Sequence, residues 1–370
     1  MKNMQALEEV VLTDRRVILR VDLNVPLDGG RILDTYRLEA VAPTIHFLVN
    51  RGARVILISH LGRPDGKSDS ALSLAPIYQA LSKILKKPIK FLPELFGSET
   101  STSLEQLETG EIAGMENLRF DKGEEANSRT FAKKLSQYGD IYVNDAFAVS
   151  HREAASVVAI TEFLPSYAGL LLEREYRIIG NLIRHPAQPF VAIIGGAKIK
   201  DKLPAVRQLL TKADRVLVGG AIASTFLAAN GVKVKKSMIE KEFLQEAKNI
   251  LDNSKGKLIL PTDYRWQGDK ILDIGPETTA LFCQYIKNAQ TVFWNGNLGK
   301  SEDPAFAAGS DTVARALAAD NSTRIIGGGN TIEVFRRLGL LGKVSFVSTG
   351  GGATLELIAG YRLPGLLALG

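Results

Sequence analysis

The run Arg20-Val21-Asp22-Leu23-Asn24 follows a short apolar stretch. At a strand end, a two-residue spacing points the Asp22 and Asn24 side chains the same way, as a pair able to hold hydroxyl groups. Asp34-Thr35-Tyr36-Arg37, Ser59-His60-Leu61-Gly62-Arg63, Glu116-Asn117-Leu118-Arg119 and Asn144-Asp145, running on to His151-Arg152, repeat one theme: a basic residue stands near each junction of strand and loop. Cations so distributed suit a pocket for anions, the bland alternative being solvated surface charge. The second half repeats glycine instead, in Gly195-Gly196, Gly219-Gly220, Gly327-Gly328-Gly329 and Gly350-Gly351-Gly352. Glycine between a strand and a helix lets backbone N–H groups approach phosphate at the helix N-terminus, so this half reads as the nucleotide domain.

Positioning these residues needs many parallel strands. Short runs rich in Val and Ile recur at Val17–Leu19, Val55–Ile58, Ile141–Val143, Val191–Ile194, Val216–Val218, Val292–Trp294, Ile325–Ile326 and Val344–Val347, and read as buried strands. Stretches of helical periodicity such as Leu203–Lys212 and Lys241–Asp252 alternate with them, which predicts an α/β protein with parallel sheets. Tyr167–Ile183 carries an apolar face among charged residues and predicts a connecting helix that stops at His185-Pro186. The apolar tail Gly360–Gly370 needs a surface to dock on, with the first domain as the expected one.

A chain of 370 residues exceeds what one core usually supports, so two domains are expected. The N-terminus lacks the apolar segment of a signal peptide, and the longest uncharged run, Val216–Val232, is broken by glycines and polar residues; neither secretion nor a membrane span is expected. Cys283 is alone, which suits a reducing compartment, and one cysteine with four histidines gives no zinc spacing. The net charge of +6 could serve nucleic acid, but no long cationic block or aromatic platform accompanies it. The Walker A pattern fails because Leu61 and Trp294 occupy its first glycine; the dinucleotide turn and the protein-kinase H-R-D and D-F-G set are absent.

Taken in order, these segments resemble phosphoglycerate kinase. The likeness continues through Gly195-Gly196-Ala197-Lys198-Ile199-Lys200-Asp201-Lys202, Asp273-Ile274-Gly275-Pro276, Trp294-Asn295-Gly296, Gly327-Gly328-Gly329 and Ser348-Thr349-Gly350-Gly351-Gly352-Ala353, collinear from about Arg20 to Leu369. The resemblance implies two doubly wound parallel-sheet domains facing each other across a cleft and joined by a long helix. The triose-acid domain would be residues 1–168 with the segment 358–370, the connecting helix 169–185, and the nucleotide domain 186–357. By the same resemblance, Asp22, Asn24, Arg37, His60, Arg63, Arg119 and Arg152 line the 3-phosphoglycerate site. Lys198 and Lys202, four apart at the start of a helix and on one face, meet the nucleotide phosphates, with Gly219, Gly220, Gly327, Gly328, Gly329, Asn330 and Thr331; Glu302 matches the residue that binds the ribose hydroxyls.

The implied reaction is reversible phosphoryl transfer between ATP, with Mg²⁺, and 3-phosphoglycerate, giving 1,3-bisphosphoglycerate and ADP. Its nucleophile is a carboxylate, ionised at neutral pH with a pKa of about 4, so no general base is required. Arg37, Lys198 and the glycine-loop N–H groups are expected to align and neutralise the transferring group, and closure about the connecting helix to dry the site. A cytoplasmic monomer without nucleic-acid or membrane partners is expected.

Four positions depart from the family pattern. Asn330 stands where the family has an aspartate that approaches the nucleotide's Mg²⁺; it reads either as a metal ligand that has lost its charge or as a helix N-cap. Asn297 replaces a proline and Lys300 adds a cation nearby, which suggests that Lys300 partly takes over phosphate neutralisation from a weakened metal site. Ala154 stands where a second histidine is common. These changes leave open a catalytically weakened homologue that only binds nucleotide or triose acid; retention of Arg37 and Lys198 argues for the enzyme.

Overall fold

The computed structural model describes residues 7–370. The chain divides into two compact units, one formed by residues up to Arg177 together with Arg362–Gly370, the other by Ile178–Tyr361. Each is built on a six-stranded, wholly parallel sheet with flanking helices.

In the first unit the strands are β1 (Arg16–Arg20), β2 (Arg54–Ile58), β3 (Lys90–Leu92), β4 (Ile112–Met115), β5 (Ile141–Asn144) and β6 (Ser166–Ala168). Their spatial order is β3-β4-β2-β1-β5-β6. Strands β1, β2 and β5 pair in register, Val17 lying opposite both Val55 and Ile141. Because the sheet is covered on both faces, these strands read as unbroken apolar runs, and Val17, Leu19, Val55, Leu57 and Val143 are fully buried in one core.

The second unit has β7 (Phe190–Ile194), β8 (Arg215–Val218), β9 (Leu258–Ile259), β10 (Thr291–Asn295), β11 (Thr323–Gly327) and β12 (Phe346–Ser348), in the order β9-β8-β7-β10-β11-β12. This is the doubly wound order whose direction reverses between β7 and β10, where such sheets open a crevice beyond their carboxyl ends. In the first unit the corresponding reversal falls between β1 and β5.

The eight apolar runs all fall on strands, although β12 begins at Phe346 and leaves Val344 outside it. Strands β3, β4, β6 and β9 carried no comparable run: they have two to four residues, and β4 includes Gly114. Leu203–Lys212 is a helix as read, whereas Lys241–Asp252 divides into a 3₁₀ turn, Lys241–Phe243, and a helix, Leu244–Asn253.

The connecting helix runs Leu170–Arg184, ahead of Pro186. Its start is set by Asp145, just past β5, whose Oδ1 accepts from the Leu171 and Leu172 N–H groups at 2.8 and 3.2 Å. Gly169 has no room for a Cβ because Asp145 fills that space. Full burial raises the Asp145 carboxyl to about 6. The boundary between the units falls inside this helix, after Arg177. At the other end, the helix Gly352–Ile358 packs on Leu203–Lys212 in the second unit, and the chain rejoins the first unit only from Arg362. There Leu363, Leu366 and Leu369 are buried, and the Gly365 N–H donates to Ser150 O at 2.8 Å. No helix among the described residues is long and apolar enough to cross a membrane.

Candidate active site

Parallel strands bring all their carboxyl ends to one edge, and the basic residues of the first unit follow from that. The ends of β1, β2, β4 and β5 supply Asp22 and Asn24, His60 and Arg63, Arg119, and Arg152 respectively. Arg37 comes from the first turn of the helix Tyr36–Asn50, which begins where Asp34 Oδ1 accepts the Tyr36 N–H.

Asp22 and Asn24 lie beyond the end of β1, in a loop, so strand alternation does not aim them. The Asp22 carboxylate accepts the Asn24 N–H at 3.1 Å through Oδ1 and an Arg37 Nη1 proton at 2.5 Å through Oδ2, while Arg37 also donates to Asn24 O at 3.1 Å. Asn24 Oδ1 accepts from the Gly62 N–H at 3.0 Å, and Arg119 Nη1 donates to Gly62 O at 2.7 Å. Gly62 can link the two because its φ is +63°, a conformation that suits glycine, and a Cβ there would press on Leu72. Asn117, wholly buried, pins the same loop: its Oδ1 accepts from the Leu61 and Arg119 N–H groups, and its Nδ2 donates to Leu61 O and Leu72 O.

His60 is buried and lies under the charges of Arg20, Arg119, Arg37 and Arg152; burial first, then those cations, hold its imidazole well below the usual histidine range. Arg119 is itself buried, and Glu125 answers it at 3.2 Å. Arg152 is half-buried and Arg63 exposed. The first unit thus gathers a cationic, largely pre-organised cradle with one neutral imidazole, suited to a small ligand carrying two anionic groups. Two of its parts, Arg20 and Asn117, had been passed over in the sequence; Arg20 even stands within the quoted motif, and only its burial reveals it.

In the second unit the glycines divide by role. The Gly219 and Gly220 N–H groups are committed to Ile194 O and Leu298 O, at 3.1 and 2.7 Å. Gly220, at φ +63°, has no room for a side chain, since a Cβ would lie 2.7 Å from Gly196 N and 2.8 Å from Asn297 O. This pair therefore serves close backbone packing, and its amides form no phosphate cradle. Around Gly329, by contrast, a Cβ would meet nothing, and no side chain caps the helix Gly329–Arg337 that starts there. Its first-turn N–H groups are consequently left for a ligand.

Lys198 lies in the loop after β7, exposed, and is not on the helix, which begins at Leu203; the expected shared helical face with Lys202 does not exist. Lys202 is the N-cap residue of that helix, and its amine donates to Asn295 Oδ1 at 2.9 Å. Burial lowers the amine to about 8. Asn295, at the end of β10 and also unassigned from the sequence, keeps a buried Nδ2 without a partner, beside Gly327 and Gly328. Thr331 is buried, and its hydroxyl accepts the Gly296 N–H at 2.7 Å, so it braces the loop after β10.

Glu302 and Asn330 line one pocket of about 480 Å³ with Asn297, Ser301 and Arg337. Arg337 forms one wall, held in a fork by Asp311 at 2.6 and 3.0 Å. Asn330 is the second residue of its helix and exposed, while Gly328 is the N-cap; the capping role is thereby excluded. Asn297 is buried, its amide donating to Ser301 Oγ. Lys300 does not line the pocket and lies 3.6 Å from Asp303, so the pocket itself offers no support for a phosphate-neutralising role at this position. Among the described residues no cluster of His, Cys, Asp or Glu could hold a metal by itself. The amide oxygen of Asn330 fits a Mg²⁺ that would arrive on a nucleotide and keep most of its ligands from phosphate and water.

Two doubly wound units, one with an arginine cradle and one with glycine-lined strand ends, define a phosphotransferase acting on small anions. The family model for phosphoglycerate kinase matches residues 7–361. The chain is 42% identical to the phosphoglycerate kinase of Rubrobacter xylanophilus over 387 residues (99% of this chain, 98% of the relative). It is 43% identical to that of Desulfosudis oleivorans over 390 residues, with the same coverage. Among solved structures, phosphoglycerate kinase from Coxiella burnetii superposes with a TM-score of 0.85 at 35% identity (99% of both chains), and that from Pyrococcus horikoshii with 0.88 at 31% (98% of both). The chain belongs to the phosphoglycerate kinase family.

Proposed function

We propose that the first unit binds 3-phosphoglycerate through Asp22, Asn24, Arg37, His60, Arg63, Arg119 and Arg152, and that the second binds ATP or ADP. The enzyme catalyses reversible phosphoryl transfer between ATP and 3-phosphoglycerate, the glycolytic reaction of its family. The observation that carries the assignment is the buried His60, in contact with Arg20 and under the charges of Arg119, Arg37 and Arg152. A phosphate and a carboxylate on one short ligand match such a cradle, since a guanidinium with free N–H groups can grip either group with two parallel donors, while Arg20, committed to Val21 O, Ser156 and His60, adds only its charge.

Nothing near the acceptor needs to remove a proton. The attacking carboxylate is already ionised, and His60, held neutral, donates a hydrogen bond without accepting a proton. Arg37, oriented by Asp22, and Lys198 then counter the charge on the transferring group. On the nucleotide side, Lys202, the helix N-terminus at Gly328–Asn330 and Glu302 orient phosphates and ribose, and bound Mg²⁺ adds charge neutralisation. The family and the lone Cys283 support a monomer working in the cytoplasm. A coupled assay of ATP-dependent phosphorylation of 3-phosphoglycerate tests the whole reading; binding of both ligands without turnover would instead leave a weakened homologue.

A further inference from the structure

We propose that Glu124 is a positioning residue that, through Ser156 and Arg20, fixes His60 as the neutral tautomer carrying its proton on Nε2. Arg20 is 1% exposed at the end of β1, and a guanidinium can only donate. Its Nη1 donates to Val21 O, its Nε to Ser156 Oγ at 2.9 Å, and its Nη2 faces His60 Nδ1 at 3.1 Å. Nδ1 must therefore present a lone pair, which leaves the ring proton on Nε2.

The other branch of the chain is equally directional. Having accepted from Arg20, the Ser156 hydroxyl gives its own proton to Glu124 Oε1 at 2.6 Å, and the Ser156 N–H donates to Oε2 at 2.9 Å. Glu124 is as buried as Arg20 and stands one hydroxyl away from it, so it is the counter-charge that makes a buried guanidinium tolerable. Burial first, and then the charges of Arg20, Arg119, Arg37 and Arg152, oppose a second ring proton on His60, while the nearby carboxylates of Asp22 and Glu125 are paired with Arg37 and Arg119. The consequence for a cradle of arginines is a hydrogen-bond donor that adds no charge and does not switch with pH.

The test is long-range ¹H–¹⁵N correlation spectroscopy of the histidine rings in the full chain between pH 5 and 8, with His60→Gln to assign the signal. A single tautomer with bare Nδ1 and no titration is expected; an Nδ1 proton, or a midpoint at the ordinary value of about 6.5, overturns the proposal. In Glu124→Gln, the counter-charge is lost and the amide would aim a donor at the hydroxyl or at the Ser156 N–H, so Arg20 is no longer held against Nδ1 and His60 should populate both tautomers. Ser156→Ala should behave alike, and Ser156→Thr, which keeps the hydroxyl, like the parent. The Ser156 pair and the parent spectrum decide the matter even if Glu124→Gln fails to fold. Unchanged tautomer in both Glu124→Gln and Ser156→Ala also overturns the proposal.

The kinetic arm rests on the reading that His60 touches 3-phosphoglycerate. There, the KM for 3-phosphoglycerate should rise about tenfold in both variants, the scale of one charge-assisted hydrogen bond, with kcat and the KM for ATP little changed. Adding 3-phosphoglycerate to the parent separates the two claims: ring signals that do not move refute the substrate contact, whereas the tautomer alone judges the positioning.

Discussion

Replacing Lys202 by arginine changes one property above others: an amine able to lose its proton becomes a cation that cannot. In the protein without ligand, burial pulls this amine down to about 8, and its hydrogen bond is to the neutral Asn295 rather than to a carboxylate. Phosphate oxygens beside it would favour the charged form and restore an ordinary lysine value. At pH 8 about half of the free amines are deprotonated, so nucleotide binding should take up about half a proton; at pH 7 the uptake should be about a tenth. The same linkage weakens nucleotide association about tenfold between pH 7 and pH 9. Calorimetric titration with ATP at pH 8, in two buffers of different ionisation heat, reads the uptake directly. Lys202→Arg should abolish it and flatten the affinity between pH 7 and 9. Absent uptake in the parent, or equal uptake in the variant, would refute the assignment of Lys202 to phosphate.

Asp145 has a folded-state pKa raised from 3.8 to about 6, so its contribution is fully present below pH 3.8 and is lost as pH rises through 6. Asp145→Asn should therefore gain relative to the parent by up to about 3 kcal/mol between pH 4 and pH 8 in urea unfolding, and a pH-independent difference would disprove this. Arg37→Lys keeps the charge but loses the fork that spans Asp22 and the ligand; kcat/KM for 3-phosphoglycerate should fall about 30- to 150-fold with the KM for ATP unchanged, and a KM for ATP that rises as much as the KM for 3-phosphoglycerate would count against it. Asn330→Asp should reach half-maximal activity at a several-fold lower Mg²⁺ concentration, since it adds a charged oxygen to the pocket shared with Glu302; superimposable Mg²⁺ curves would dismiss a role for this position.

The strands that carry the site were legible because burial on both faces leaves a simple mark, a run such as Val55–Ile58, that survives without any partner in view. Where the mark is missing, as in β3 and β9, the strand is short and is held by its neighbours. Motifs and the family resemblance singled out Arg37, His60, Arg119 and Glu302. The partners of such residues were not legible: Arg119 answers Gly62, and Thr331 answers Gly296, across separations that only folding closes.

Alone, the sequence determined which residue types stand at the carboxyl ends of which strands, and hence the expectation of an arginine-lined anion site in one half and a glycine-lined one in the other. Tertiary structure decided which of those groups are available. It spent the Gly219 and Gly220 amides on carbonyls, turned the Lys202 amine onto Asn295, tied Lys300 to Asp303 and buried Arg20 against Ser156 and His60. The physical reason is that a hydrogen bond or a pKa belongs to a neighbourhood, and neighbours more than a hundred residues apart, as Arg20 and Ser156 are, become one another's environment only when the chain has folded.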